Sequence, residues 1–163
     1  MIIINKSSYL KYKDFKFKCA LGKAGIGNKK REGDNITPKG NFKIVKIYYR
    51  KDRLKKLSSK FTLTEITKDM GWCDDPKSKK YNQLIKLPTN YSHENLYRKD
   101  NIYDLILVLN YNMKPTIKNK GSAIFIHIIK KNYQPTKGCI ALKKNNLVKL
   151  ISKIDKNIKI KIS

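Results

Sequence analysis

Two residues of this chain, His127 and Cys139, have the types and the spacing to do chemistry together. His127 interrupts an apolar run, Ser122 to Ile129, and shares a strand face with Ala123, Phe125 and Ile129. Burying an imidazole costs free energy unless its nitrogens find partners, so the residue is either a satisfied core histidine or a working group. Eleven residues separate that strand position from Cys139, which lies in Gly138-Cys139-Ile140-Ala141-Leu142 and taken alone reads as a small buried hydrophobe. As a pair they supply a thiol nucleophile and a base that takes its proton and later returns it to a leaving amine. A neighbouring imidazolium and a cation such as Lys137 are expected to lower the thiol pKa toward working pH. The backbone N–H groups of Gly138 and Cys139 are candidates to hold the oxyanion of a tetrahedral intermediate. No Asp or Glu lies between His127 and Cys139, so a backbone carbonyl is the expected partner of the second imidazole nitrogen.

The elements around the pair must bring it together. The segment between them is too short for a helical crossover, and it predicts a strand, a loop and a return. Pro135-Thr136 reads as a turn, and Gly138 lets the backbone pass close to another group. Upstream, Phe15 to Leu21 alternates as a strand, Gly22 to Gly40 reads as a long loop ending in Thr37-Pro38-Lys39-Gly40, and Asn41 to Tyr49 is again strand-like. Tyr103 to Tyr111 is apolar enough for a strand buried on both faces. Between Asp52 and Asn101 the periodicity is weak. Leu147, Leu150, Ile151 and Ile154 recur at helical steps, and Ile158, Ile160 and Ile162 alternate with lysines as a last strand. One mainly β domain over residues 1–163, with an amphipathic helix near its C-terminus, is therefore expected.

The chain carries a net charge of +26. Of its 38 basic residues only Arg31, Arg50, Arg53 and Arg98 are arginine. Lys, Asn, Ile and Tyr are also the residues that AT-rich coding produces, so the excess reflects coding bias, attraction to an anionic partner, or both. Arginine supplies the fork that reads bases and phosphates; its scarcity and the spread of the lysines argue against specific nucleic-acid recognition. Three cysteines without CxxC spacing and two histidines give no metal-ligand pattern, and no cofactor is implied. The N-terminal Met-Ile-Ile-Ile run is too short for a signal-peptide core or a membrane anchor, so no means of export is visible.

Gly121-Ser-Ala-Ile-Phe-Ile-His127 followed by Pro135-Thr-Lys-Gly-Cys-Ile-Ala-Leu142 resembles the active-site signature of the YkuD-type L,D-transpeptidases. His127, Thr136, Gly138 and Cys139 match it one for one. Lys137 stands where many members have a second histidine, and Ala141 where many have an arginine or asparagine. Glu32-Gly33-Asp34 with Thr37-Pro38-Lys39-Gly40 is similar to the family's GDxxTPxG block, and Trp72 to Pro76 with Tyr81-Asn82, and Glu94 to Asp104, resemble further blocks of a divergent branch. Papain-like enzymes reverse the order of Cys and His, and sortases place an arginine shortly after the cysteine, whereas Arg98 is the last arginine here.

The resemblance implies a β-sandwich or barrel. It also implies a cysteine that attacks a tetrapeptide stem of peptidoglycan, expels D-alanine, and passes the acyl group to another stem's amine or to water. Donor and acceptor stems would be the partners, anionic wall polymers further ones, and the periplasm or cell envelope the location, with the protein acting as a monomer. Lys137 or Arg50 would replace the missing grip on the stem's carboxylate, and Thr136 would help bind substrate. Asp75 and Asn82 either line the cleft or cap a loop. Trp72 is read as core and His93 as a surface residue. An L,D-carboxypeptidase using the same site, and a lysine-rich anion- or nucleic-acid-binding protein without catalysis, are the alternatives.

Overall fold

The computed structural model describes residues 1–163. The first strands are β1 (Ile2–Asn5), β2 (Tyr9–Tyr12), β3 (Phe15–Ala20), the two-residue β4 (Ile26–Gly27) and β5 (Thr37–Pro38), and the long β6 (Gly40–Tyr49). Short strands follow: β7 (Leu63–Glu65), β8 (Met70–Cys73), β9 (Leu84–Lys86) and β10 (His93–Asn95). The C-terminal third holds β11 (Leu105–Leu109), β12 (Phe125–Ile128), β13 (Ile140–Leu142), helix α1 (Lys144–Ile151) and β14 (Lys159–Ile162).

Eight of these strands close a barrel in the order β11-β12-β13-β3-β2-β1-β14-β6, with β6 pairing back onto β11. Closure leaves the ring without free edges. Alternation fills its interior: Ile2, Ile4, Leu10, Ile47, Leu107, Ile126, Ile140 and Ile160 are all fully buried in one cluster. Leu147, Leu150 and Ile151 of α1, with Ile154 just beyond it, join that cluster. Burying each such side chain is worth about 1.5–3 kcal/mol, and a one-residue slip would turn every one of them outward, so the register is fixed.

Strand β11 is buried on both faces, as its composition predicts. Leu105, Leu107 and Leu109 point into the barrel, while Ile106 and Val108 point out into a second cluster with Trp72, Tyr103 and Phe125. That outer cluster is roofed by a three-stranded sheet, β10-β8-β9, drawn from the region of weak periodicity. Trp72 of β8 is core, its ring edge-on to Phe125 at 5.2 Å. His93 is half-buried in β10 rather than fully exposed.

The N-terminus corrects a gap in the sequence reading. Met1 to Lys6 supplies β1, paired in parallel with β14 (Ile2 with Ile160, Ile4 with Ile162) and antiparallel with β2. A four-residue strand that is only three apolar residues and an asparagine is too short to show a period, and one of its two partners lies at the far end of the chain. No helix is long and apolar enough to cross a membrane.

Candidate active site

His127 faces out of the barrel because its neighbours Ile126 and Ile128 face in. Strand β12 pairs with β13 in parallel, Ile126 opposite Ile140 and His127 opposite Ala141. Cys139, one residue before β13, has the parity of Ala141 and so shares the outer face with His127. The expected loop and return is thus corrected: the chain does not fold back antiparallel. It recrosses over residues 129–139 through a turn at Lys131–Tyr133, where Asn132 (φ 56°) and Tyr133 (φ 52°) are left-handed. Thr136 then bridges to Gly22, which holds the recrossing segment against the loop after β3.

The turn that presents the cysteine is tied at several points. The Thr136 hydroxyl accepts the Gly138 N–H (3.1 Å) and donates to the Cys139 carbonyl (2.6 Å). The Thr136 N–H donates to Leu21 O at 2.8 Å, and its carbonyl accepts the Lys23 N–H at 2.9 Å. Gly138 has φ 134°, and a Cβ there would sit 2.8 Å from the Ile36 carbonyl. The Thr37-Pro38 block therefore backs the Gly-Cys block: the Thr37 hydroxyl accepts the Gly22 N–H (2.8 Å), and Ile36 closes over Gly138. Of the two proposed oxyanion donors, the Gly138 N–H is committed to Thr136, while the Cys139 N–H makes no hydrogen bond.

The Cys139 thiol and the His127 imidazole are both neutral at rest. Burial pushes the Cys139 thiol up to about 12, with the Glu94 charge adding to it and the Phe125 N–H and Lys29 opposing. The thiol donates to Ala123 O at 3.0 Å and accepts the Phe125 N–H at 3.4 Å. Burial holds His127 down at about 4, helped by Arg98 and opposed by the Ile128 carbonyl and Asp100. The expectation of a thiol lowered toward working pH is corrected here, because desolvation outweighs the nearby cations. Lys29, not Lys137, is the lysine that acts on the thiol; it is buried and paired with Asp34 at 2.5 Å.

The imidazole's orientation follows from one contact. Nδ1 lies 2.8 Å from the carbonyl of Ile128, so Nδ1 carries the proton and Nε2 offers a lone pair. A backbone carbonyl thus does the orienting that no nearby carboxylate could do. The Tyr103 ring packs edge-on against the imidazole at 5.4 Å and against Phe125 at 6.0 Å.

A pH effect on stability follows, with a definite sign. The folded state holds His127 near pH 4, below its ordinary value of 6.5, so between these values the unfolded chain binds the proton and the folded one does not. Stability contributed above pH 6.5 is lost as pH falls toward 4, by about 3 kcal/mol for this group. Urea unfolding at pH 7 and pH 4 is expected to show that loss for the wild type and a smaller one for His127→Gln. Equal losses would mean the imidazole is not held neutral.

Cys139 and His127 open onto one cavity of about 500 Å³. Arg98, Lys130 and Lys137 contribute its cations, and Glu32, Asp74 and Glu94 its carboxylates. Seven other acidic residues each pair with a cation within 4.0 Å, but none of these three does, in a chain of net charge +26. Glu32 instead accepts the Tyr81 hydroxyl, and Asp74 that of Ser92 at 2.6 Å. Arg98 is clamped by both carboxylate oxygens of Asp100 (2.8 and 2.6 Å) and lies over Tyr103. Ser122 Oγ, in the cavity wall, is the one buried side-chain polar atom without a hydrogen-bond partner.

Three residues singled out from the sequence lie away from this cavity. Arg50 is buried against Tyr97 (3.6 Å), grips Asp52 with two nitrogens and donates to Arg98 O. Asp75 accepts the Lys77 N–H at 2.9 Å and so caps its own loop. Asn82 spends its whole side chain on the scaffold. Its Oδ1 accepts Trp72 Nε1–H and the Ala123 N–H (both 3.0 Å), and its Nδ2 donates to Tyr111 O and Asn112 O. Through Ala123, held at φ 50°, it sets the carbonyl on which the thiol rests. Thr136 and Lys137 do line the cavity. Glu94, Arg98, Tyr103 and Ser122 line it too, although the sequence assigned none of them a role in the site. The first two lie in the weakly periodic region; the signals were the family-like blocks Glu94 to Asp104 and Gly121-Ser122-Ala123 beside His127.

Comparisons with known proteins bear on this geometry. The chain is similar to the crystal structure of the helical cell shape determining protein Pgp2 from Campylobacter jejuni, at 20% identity and a TM-score of 0.48. That match covers 99% of this chain and 46% of the other, so the chain spans about half the length of that protein. No curated protein matches. The family described as the YkuD L,D-transpeptidase catalytic domain matches residues 1–162, and on that extent the chain belongs to this family.

Proposed function

We propose that this chain is a cysteine acyltransferase acting on peptidoglycan stem peptides in the cell envelope, with Cys139 as nucleophile and His127 as general base and acid. One observation carries the reading: a thiol and an imidazole with a free Nε2 share one outer barrel face and open into the same cavity. Because both groups are neutral, the thiol proton moves to Nε2 as sulfur attacks the stem's carbonyl, not before. The Cys139 N–H is then the available donor to the oxyanion. The imidazolium returns the proton to the amine of D-alanine as the C–N bond breaks, leaving a thioester on Cys139.

Acyl transfer to an amine is favoured over transfer to water by the carboxylates of the cavity. Glu32, Asp74 and Glu94, free of cation partners, offer negative potential to an incoming ammonium group. Lys130 and Lys137 are the unpaired cations available to a stem carboxylate, and the unpartnered Ser122 hydroxyl can bond a peptide amide of the donor.

A synthetic tetrapeptide stem, with and without a second stem as acceptor, tests this by product analysis and intact mass. D-alanine release, a covalent adduct on wild type that Cys139→Ala lacks, and a cross-linked product are expected. Release without cross-linking would assign the site to hydrolysis, an L,D-carboxypeptidase. Neither adduct nor release would remove the acyltransferase reading and leave the cationic surface as the clue to function.

A further inference from the structure

The barrel wall opposite the site carries its own pattern. In the ring of eight strands, β1 stands four places from β12, so β3, β2, β1, β14 and part of β6 form the far side from His127. Their outward positions are set by register: Lys16 pairs with Lys11, Lys11 with Ile3, and Ile3 with Lys161 in one row across the strands. Lys18 pairs with Tyr9, and Lys159 with Lys43, in the rows on either side. All six lysines are exposed, none forms an ion pair, and no Asp or Glu occupies these strands.

Two of the pairs, Lys11 with Lys16 and Lys43 with Lys159, put like charges directly opposite each other. Such pairs stand about 5 Å apart at Cβ and destabilise a sheet. A carboxylate at either position would remove the cost, and the chain has none there. An anion laid across the face would remove it as well.

The chemistry of the face narrows that anion. It has no arginine, and the rings beside it are already covered, Tyr9 by the Lys16 ammonium at 4.4 Å and Tyr133 by those of Lys18 (4.9 Å) and Lys143 (5.8 Å), so it offers no free ring on which a base could stack. Its exposed apolar side chains are Ile3, 37% exposed, the terminal Met1 and, on β6 beyond Lys43, Val45, too few to seat in a bilayer. Compact lysine charges in rows about 5 Å apart suit closely spaced charges on a flexible chain.

We propose that this lysine face, built from Lys11, Lys16, Lys18, Lys43, Lys159 and Lys161, is a docking surface for a linear polymer of phosphate-linked units. Because it lies opposite the cavity, a bound polymer leaves the Cys139 site open and tethers the protein with that site facing away. The proposal stands apart from the acyltransferase reading, since it concerns binding alone.

Binding of inorganic polyphosphate of defined chain length is measured by fluorescence anisotropy over a range of salt. Three proteins are compared: the wild type, a variant with all six lysines changed to Gln, and a control with Lys55, Lys56, Lys68, Lys77, Lys79 and Lys118 changed to Gln. The two variants have equal charge and change only exposed side chains without ion pairs, and thermal melting checks their folds. The wild type is expected to show a log–log salt slope of about −4, from six contacts on a flexible polyanion. The face variant is expected to bind at least about 100-fold more weakly with a flatter slope, while the control stays within about fivefold. Equal losses in both variants would reduce the effect to net charge and overturn the proposal. So would tighter binding to oligothymidylate, or binding to phosphatidylglycerol vesicles without binding to polyphosphate.

Discussion

Cys139→Ser is expected to lose turnover of the tetrapeptide stem by about 10⁴-fold or more while melting at the wild-type temperature. The serine hydroxyl can still donate to Ala123 O, so the resting contact and the turn survive. What fails is deprotonation. His127, held at about 4, is a weak base, and it suffices for a thiol only because the proton moves as sulfur attacks. A hydroxyl is a far weaker acid and asks more than that base can give. His127→Gln is expected to cost about 10²–10⁴-fold, and the double variant to fall no further than Cys139→Ser, because the two act as one unit. The wild-type kcat/KM should fall on the acid side near pH 4 and not near 6.5, since only the neutral imidazole takes the thiol proton. Turnover retained by either single variant, with melting unchanged, would remove that residue from the mechanism.

Gly138→Ala is the second large effect. At φ 134° an L-residue is strained, and the new methyl would stand 2.8 Å from the Ile36 carbonyl, a backbone atom that cannot swing aside. Strain and clash together are expected to cost about 2–4 kcal/mol of stability. The larger loss is kinetic: shifting the Cys139 turn by about 1 Å relative to His127 is expected to cost at least about 100-fold in kcat. Gly25→Ala is the comparison, because Gly25 has φ 77° but nothing within 4 Å of its Cβ position. It should lose about 1 kcal/mol and no activity. If both variants behave alike, backbone strain alone matters and the contact with Ile36 does not.

Sequence alone determined the features that rest on local pattern. The β11 run is buried on both faces because every position is apolar. Leu147, Leu150 and Ile151 face the barrel because they recur at helical steps, and His127 stands out because it breaks an apolar strand. The Pro-Thr-x-Gly-Cys spacing marked the turn that carries Cys139 for the same reason: Thr136 caps it and Gly138 takes a backbone angle that other residues resist.

Tertiary structure alone decided what depends on distant partners. The recrossing that makes β12 and β13 parallel is held by Thr136 bridging to Gly22, and β1 is completed by β14 from the far end of the chain as well as by β2. Asn82 and Arg50 are polar residues that a sequence offers equally to a cleft or to a scaffold; their hydrogen bonds to Ala123, Tyr111 and Asp52 make them scaffold. Glu94, Arg98 and Tyr103 enter the cavity from three-residue strands and loops too short to show a period. The protonation of Cys139 and His127 was likewise hidden, because residue types suggest an ion pair, while only burial shows that desolvation outweighs the neighbouring charges and keeps both groups neutral.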